Sequence, residues 1–150
     1  MSVRTKVKYV LLFTLFHFVT YFGIQWSISQ NSYDFLSLFD TMIPFIPEFV
    51  WIYHSIVFIL PITLIYLLKK DIVFMGAIFS FIVGLLVLSI CYMLFPSFYP
   101  RLEIIPENIH EWMVQITWWI DGSNNTFPSG HVTYAWLVFL TVLAWGNHVH

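Results

Sequence analysis

The sequence predicts an all-α membrane protein, a multi-pass transmembrane helical bundle with four membrane helices and a short interfacial amphipathic helix. Of the 150 residues, 59% are hydrophobic and only 9% are charged, whereas about a quarter of the residues of a soluble domain are charged. Long runs without charge, with Lys and Arg clustered beside them, complete the pattern. We therefore expect one membrane domain over residues 1–150, with the lipid bilayer as its partner and no nucleic acid.

Four apolar runs account for the predicted membrane helices, because a run of about 18 uncharged apolar residues is long enough to cross a bilayer. They are residues Tyr9–Ile28, Phe49–Leu68, Ile72–Phe95 and a fourth from Val132 to Gly146. The first run follows three cations, as the core of a secretory signal does, but a signal core is shorter and ends at small residues. Because Trp26 lies near its end as an interfacial anchor, we interpret this run as a retained helix.

The Lys and Arg residues predict the topology. Five of the six lie in two places, which are the N-terminal segment with Arg4, Lys6 and Lys8 and the short link with Lys69 and Lys70. Cytoplasmic segments carry such an excess, so the N-terminus and this link are expected on the cytoplasmic side. Segments Gln30–Glu48 and Pro96–His131 are then expected on the extracytoplasmic or lumenal side. Arg101 breaks the pattern, and it is either a chance surface arginine near the headgroups or a functional residue.

Two features are predicted in these external segments. Pro44 and Pro47 indicate an interfacial elbow that enters the second membrane helix. A short amphipathic helix is indicated by apolar residues at helical spacing, namely Ile109, Trp112, Met113, Ile116, Trp119 and Ile120. This helix either lies on the membrane surface or caps a pocket beneath it. The stretch "DGSNN" then ends the helix, and the glycosylation sequon at residues 124–126 is interpreted as a coincidence.

Two histidines, His17 and His54, lie inside the first and second apolar runs. An ionisable side chain at such a depth usually faces the bundle interior or water. It can serve a function there, or it can be a packing residue with a hydrogen-bond partner. We prefer the packing interpretation for both histidines.

The stretch "FPSGH", residues 127–131, opens the fourth apolar run. Pro128 and Ser129 are favourable at a helix start, and Gly130 lets a ligand approach the backbone. A helix N-terminus has unpaired N–H groups and a positive dipole end, so it favours phosphate. His131 could then give a proton to a departing alkoxide, and Arg101 could neutralise phosphoryl oxygens. The alternative is an ordinary helix start, but the only external cation precedes it in the same loop, which favours the functional interpretation.

The stretches "NTFPSGH", "FPSFYPR" and "DTMIPFIPEFVWIY" resemble the type 2 phosphatidic acid phosphatase superfamily, particularly its inositol phosphorylceramide synthase-like branch. The resemblance covers the chain from about Asp40 to its end. It implies a bundle of six helices without a metal or other cofactor, in which Arg101, Ser129 and Gly130 hold phosphate. It also implies that His131 protonates the leaving group, while a third motif supplies an Arg, a nucleophilic His and an Asp.

The sequence departs from the family pattern at two points. In the usual first motif a Lys stands seven residues before the Arg and a Pro follows the Arg, and here those positions are Leu94 and Leu102. The third motif is missing. His148 and His150 would lie about 25 Å or more from His131 along a continuing helix, and His110 is more simply a solvated side chain of a surface helix. We therefore expect this chain to be the N-terminal portion of a longer enzyme.

The resemblance implies a membrane-embedded phosphatase or phosphotransferase that acts on a lipid-linked phosphate ester through a phosphohistidine intermediate. Without a nucleophile, this chain is expected to be inactive by itself. A rival function is a non-catalytic membrane protein that binds lipid phosphate or a partner. A transporter or channel is not favoured, because the apolar runs lack the paired charges of a conduction path.

Overall fold

The computed structural model describes residues 1–27, 33–34 and 36–147. Within these ranges the chain is helical, with two strands of only two residues each, so the predicted all-α class is confirmed. The helices are α1 (Val3–Ser27), α2 (Leu38–Met42), α3 (Val50–Leu67), α4 (Asp71–Leu94), α5 (Ile109–Asp121) and α6 (Gly130–Asn147), and the strands are β1 (Tyr33–Asp34) and β2 (Ser97–Phe98). The predicted end of the first run at Ile28 lies outside the described residues, as does Gln30.

Three helices are long and apolar enough to cross a membrane, namely residues Val3–Ser27, Pro47–Leu67 and Asp71–Leu94. Their surfaces carry large apolar side chains; Leu11, Leu15 and Val19 on α1 are more than half exposed. Such surfaces fit an integral membrane protein, because apolar side chains are stable against lipid. The fourth predicted span corresponds to α6, whose apolar part, Gly130–Gly146, is shorter than the other three.

Helix α4 is the centre of the bundle. It packs against α1 on one side and α6 on the other, and α3 packs against both α4 and α6. Phe74, Phe81, Leu85 and Leu88 recur on one face of α4 at helical spacing and are buried in the core. At Gly84 helix α4 is in close contact with α6, since a β-carbon there would lie 2.7 Å from the Leu137 Cδ1 atom of α6. Small residues permit such close helix contacts in membrane proteins.

One end of the bundle brings the N-terminus to the link between α3 and α4. The Lys6 ammonium group bonds to the Leu68 carbonyl oxygen and lies 2.6 Å from the Asp71 carboxylate. The N-terminal amine pairs with the same carboxylate. These contacts agree with the prediction that the N-terminus and this link lie on one side of the membrane.

The opposite end is held together by short backbone pairings. β1 and β2 pair in parallel, with Tyr33 opposite Ser97, and Phe98 forms an isolated antiparallel bridge with Asn124. The segments that follow α1, α4 and α5 therefore meet at one place. The loop before α6 contacts this region, because the Phe127 N–H donates to the Ser97 hydroxyl of β2.

The external segments contain the predicted elbow and one helix that was not predicted. The elbow is a 3₁₀ turn, Pro47–Phe49, with proline in its first turn, and it leads directly into α3. The extra helix is α2, where Ser37 and Asp40 form a capping box. Hydrogen bonds from Ser37 hold the pKa of the Asp40 carboxyl below its usual value. With only five residues, α2 is too short to show a helical period in the sequence.

Candidate functional site

A cavity of about 620 Å³ lies between the helices. Its wall includes all four site residues predicted from the sequence, which are Arg101, Ser129, Gly130 and His131. Arg101 lies in the loop before α5, whereas Ser129, Gly130 and His131 are consecutive residues at the start of α6. The structure thus brings the predicted site residues to one cavity.

The start of α6 has the capping arrangement that the motif predicts. The Ser129 hydroxyl accepts a hydrogen bond from the Val132 N–H at 3.3 Å, and the Ser129 carbonyl oxygen accepts one from the Thr133 N–H at 3.0 Å. At Gly130, the first residue of α6, an added β-carbon would lie 3.4 Å from the Tyr92 hydroxyl oxygen. Tyr92 therefore lies against the start of α6, where its hydroxyl donates to the Pro128 carbonyl oxygen at 2.9 Å.

Arg101 is oriented by the C-terminal end of α5. Its Nε and Nη2 donate to the Gly122 carbonyl oxygen at 3.0 and 2.7 Å, and its guanidinium lies 5.8 Å from the centre of the Trp118 ring. Gly122 has a φ of +64°, a conformation that favours glycine. A guanidinium has five N–H donors, so three of them have no protein partner among the described residues.

His131 stacks on a tyrosine from α3. The ring of Tyr53 lies 3.7 Å from the ring of His131, centre to centre, with an angle of 29° between their planes. The Tyr53 hydroxyl donates to the Asp121 carboxylate at 2.6 Å, and the Tyr21 hydroxyl donates to the other oxygen of the same carboxylate. Asp121, Tyr53 and Tyr21 all line the cavity. His131 is thus held by an aromatic ring that is itself fixed by a carboxylate.

Sequence reasoning did not identify these three residues as part of the site. The sequence pattern predicts only that Asp121 lies in the turn that ends α5. It predicts that Tyr21 and Tyr53 belong to membrane helices. Nothing in their local spacing links them, because the hydrogen bonds join residues 100 and 68 positions apart. The bonding of one carboxylate to two tyrosine hydroxyls is visible only in three dimensions.

The other three histidines within the described residues have side-chain partners. His17 Nδ1 lies 2.9 Å from the Tyr134 hydroxyl, and His54 Nε2 lies 2.8 Å from the Thr117 hydroxyl, which is what the packing interpretation expects. His17 also lines the cavity. His110 accepts a hydrogen bond from the Trp51 indole at 2.7 Å and belongs to the surface beside α3. His148 and His150 lie outside the described residues.

Helix α5 covers the end of the bundle with one face and exposes an apolar surface on another. Thr117 and Asp121 bond to residues of α3, so one face of α5 covers the end of the bundle. Trp119 is 85% exposed and Trp112 is 53% exposed, so tryptophan side chains point away from the bundle. This exposed apolar surface is suited to the headgroup region of a bilayer.

The cavity changes in character along its length. Its polar part holds Arg101, Asp121 and the start of α6. Its other part is apolar and is lined by residues of α1, α3 and α4, namely Phe13, Phe18, Ile56, Leu60, Leu64 and Leu85. Within the described residues, no group of three or more His, Cys, Asp or Glu side chains is arranged to hold a metal ion. The cavity therefore offers a charged end next to an apolar groove.

Asn125 and Thr126 also lie on the cavity wall, immediately before the motif. Asn125 is buried and has a positive φ of 58°. Neither atom of its side-chain amide, nor the Thr126 hydroxyl, has a hydrogen-bond partner among the described residues. In the sequence these residues are marked only by the sequon at residues 124–126, which does not indicate a place in the site.

Comparisons with models of protein families, with curated proteins and with solved structures find no match for this chain. The resemblance to the phosphatase superfamily therefore rests on the motif residues and stays a prediction.

Proposed function

We propose that the cavity binds the phosphate of a lipid-linked ester, and that the chain supplies the phosphate-binding and proton-donating part of a phosphatase or phosphotransferase of the type 2 phosphatidic acid phosphatase superfamily. The observation that carries this proposal is that Arg101, the N-terminus of α6 and His131 line one cavity. Each contributes a different element of phosphate-ester chemistry.

Two positive groups favour an anion in the polar part of the cavity. The N-terminus of a helix such as α6, with 18 residues, carries about half a positive charge and unpaired N–H donors. Arg101 adds a full charge, and its bonds to Gly122 fix the guanidinium while leaving donors for a ligand. A planar guanidinium matches the oxygens of a phosphate better than an ammonium group does. Phosphate is therefore the anion we assign to this site.

His131 stands in the first turn of α6, next to the anion that these groups would hold. Its ring is held face to face with Tyr53, so its orientation is restricted before a ligand arrives. A positioned imidazole can donate a proton near neutral pH. We assign His131 the role of the acid that protonates the departing alkoxide.

The apolar part of the cavity indicates the nature of the rest of the substrate. Side chains of α1 and α3 line it, including Phe13, Ile56 and Leu60. An acyl or isoprenoid chain would be stable there, because each buried methylene group contributes about 0.8 kcal/mol. A phosphate ester with a hydrocarbon chain would thus occupy both parts of the cavity.

In the proposed reaction a histidine nitrogen attacks phosphorus, and the P–O bond to the alcohol breaks. His131 gives its proton to that oxygen and becomes neutral. Water or a second alcohol then attacks the phosphohistidine and breaks the P–N bond, while His131 takes up the proton of the attacking group. Such a covalent route divides one difficult displacement into two. Fixed positive groups stabilise the charge on the transferring phosphoryl.

The attacking histidine is not assigned to the described residues. His17 shares the cavity, but its ring is packed among Phe13, Phe18 and Tyr21 and one of its nitrogens is bonded to Tyr134. We therefore assign His17 to packing and place the nucleophile in the third motif of a longer protein.

A second candidate function is favoured by the completeness of the anion site. Arg101 and the start of α6 form this site without help from a nucleophile. The chain would then bind a lipid phosphate without chemistry. Translating the DNA beyond His150 in three frames discriminates the two functions, since an Arg, His and Asp cluster after a further apolar run supports the enzyme.

The proposed function is tested by phosphate binding in lipid nanodiscs, measured as the thermal stabilisation produced by inorganic phosphate. Arg101→Gln is expected to weaken binding about tenfold or more, because a hydrogen bond to a charged group contributes about 1.5–3 kcal/mol. Arg4→Gln removes an exposed cation at the other end of the bundle and should leave binding unchanged. Equal binding by wild type and Arg101→Gln would exclude the phosphate site.

A further inference from the structure

We propose that Asn125 and Thr126 bind a hydroxyl group that the substrate carries next to its phosphate. This inference rests on the proposed function, because it assigns a second part of the same ligand to the same cavity. It goes further by naming a chemical class, a phosphate ester with a free neighbouring hydroxyl, and two residues that recognise it.

The first observation is the lack of partners. Asn125 is only 6% exposed, and its Nδ2 and Oδ1 make no hydrogen bond to any described residue. The hydroxyl of Thr126 likewise makes no hydrogen bond to any described residue. Buried polar groups are nearly always satisfied in folded proteins, and leaving them unpaired is costly. Three unpaired polar atoms on adjacent residues therefore indicate a missing partner.

The second observation is that the loop is fixed on both sides. The Tyr99 N–H donates to the Ser123 carbonyl oxygen at 3.0 Å, and Phe98 and Asn124 form a backbone bridge. On the other side, the Phe127 N–H donates to the Ser97 hydroxyl at 2.9 Å. Asn125 is thus held in place with a left-handed backbone, which asparagine tolerates better than most residues. Asn125 therefore lies on the cavity wall in a loop that is held on both sides, and it is buried there.

The donors and acceptors of Asn125 and Thr126 indicate what kind of group would pair with them. A phosphate dianion offers only acceptors, so it cannot satisfy the Asn125 carbonyl oxygen, which needs a donor. A hydroxyl group both donates and accepts, as the amide of Asn125 and the hydroxyl of Thr126 together require. Phosphate already has Arg101 and the start of α6 on the same wall. The neighbouring Asn125 and Thr126 therefore suit an alcohol group of the ester.

The experiment compares two soluble esters that differ in hydroxyl groups, glycerol 3-phosphate and propyl phosphate, with the full chain in nanodiscs. Wild type is expected to bind glycerol 3-phosphate about tenfold more tightly, since one or two hydrogen bonds of this kind contribute a factor of that size. Asn125→Gly accepts the positive φ and removes the amide, so it should fold and lose the preference. Thr126→Val, which keeps the shape, should reduce the preference in part.

The control is Gln115→Ala, which removes an exposed amide from α5 and should keep the full preference. If wild type binds both esters equally, or if Asn125→Gly keeps the preference, the inference is overturned and a buried water satisfies the amide. If inorganic phosphate and both esters fail to bind, the proposed function itself fails. The two failures are therefore distinguishable.

Discussion

Arg101 and Gly122 are joined by two hydrogen bonds, from Nε and Nη2 of the guanidinium to one backbone carbonyl oxygen, at 3.0 and 2.7 Å. The glycine ends α5 with a backbone conformation that other residues rarely adopt. The turn therefore decides where the guanidinium lies, and the cavity receives a cation whose orientation is set before any ligand binds. Pre-organisation of this kind lowers the cost of binding.

Gly122→Ala tests whether the turn positions the guanidinium. A β-carbon at Gly122 would lie 2.7 Å from Gln25 Nε2, and the φ of +64° would be strained, so the carbonyl should move away from Arg101. We expect phosphate affinity to fall about tenfold, close to the loss in Arg101→Gln. Gly146→Ala is the matched control, since nothing lies within 4 Å of its β-carbon. Unchanged phosphate affinity in Gly122→Ala would contradict the positioning role.

Substitution of Tyr53 separates its ring from its hydroxyl. Tyr53→Phe keeps the ring against His131 but loses the bond to Asp121, and we expect a loss of about 1 kcal/mol in the free energy of unfolding. Tyr53→Leu also removes the stacked ring. In a longer protein that carries the nucleophile, kcat should then fall further in Tyr53→Leu than in Tyr53→Phe. Equal kcat values in the two variants would show that the stack does not orient His131.

The contact between α4 and α6 should be sensitive to volume. Gly84→Val is expected to destabilise the fold by about 1–3 kcal/mol, because the added side chain meets Leu137 on α6. Gly76→Val makes the same change in the same helix where nothing lies within 4 Å, and thus controls for helix propensity. Thermal unfolding in detergent measures both variants. A larger loss for Gly76→Val would mean that close packing at Gly84 is unimportant.

Lys6 is expected to contribute to stability as well as to topology. It is buried, and it bonds to the Leu68 carbonyl oxygen and the Asp71 carboxylate. Lys6→Met should cost about 1–3 kcal/mol in the free energy of unfolding, because it leaves polar groups without this partner. Lys8→Met removes one positive charge from an exposed position and should change stability by less than about 0.5 kcal/mol. Similar losses in the two variants would make the Lys6 contacts energetically unimportant.

The topology can be tested by cysteine labelling in a Cys91→Ser background. Ser2→Cys lies beside the N-terminus, and Leu102→Cys lies next to Arg101, where the leucine is 58% exposed. A membrane-impermeant maleimide should reach Leu102→Cys from the extracytoplasmic or lumenal side and Ser2→Cys only after permeabilisation. Labelling of both positions from one side would overturn the predicted topology and the position of the motif.

The amphipathic helix illustrates how far local pattern reaches. Apolar residues from Ile109 to Ile120 predicted a helix, and α5 runs from Ile109 to Asp121. The pattern left open whether this helix lies on the membrane or covers a pocket. The structure has both features, with exposed tryptophans on one face and bonds to α3 on another. A repeat of apolar residues shows that a helix has an apolar face. It does not show which other part of the protein the opposite face of that helix contacts.

The sequence by itself determined the all-α class, the long apolar helices and four of the residues that line the cavity, because these follow from composition, period and the chemistry of one loop. Only the tertiary structure decided that Asp121 holds Tyr21 and Tyr53, that Gly122 aims Arg101, and that Asn125 is buried without a partner. The physical reason is that hydrogen bonds and burial depend on which helices meet. When two residues are 100 positions apart, the sequence around each of them does not show that they are in contact.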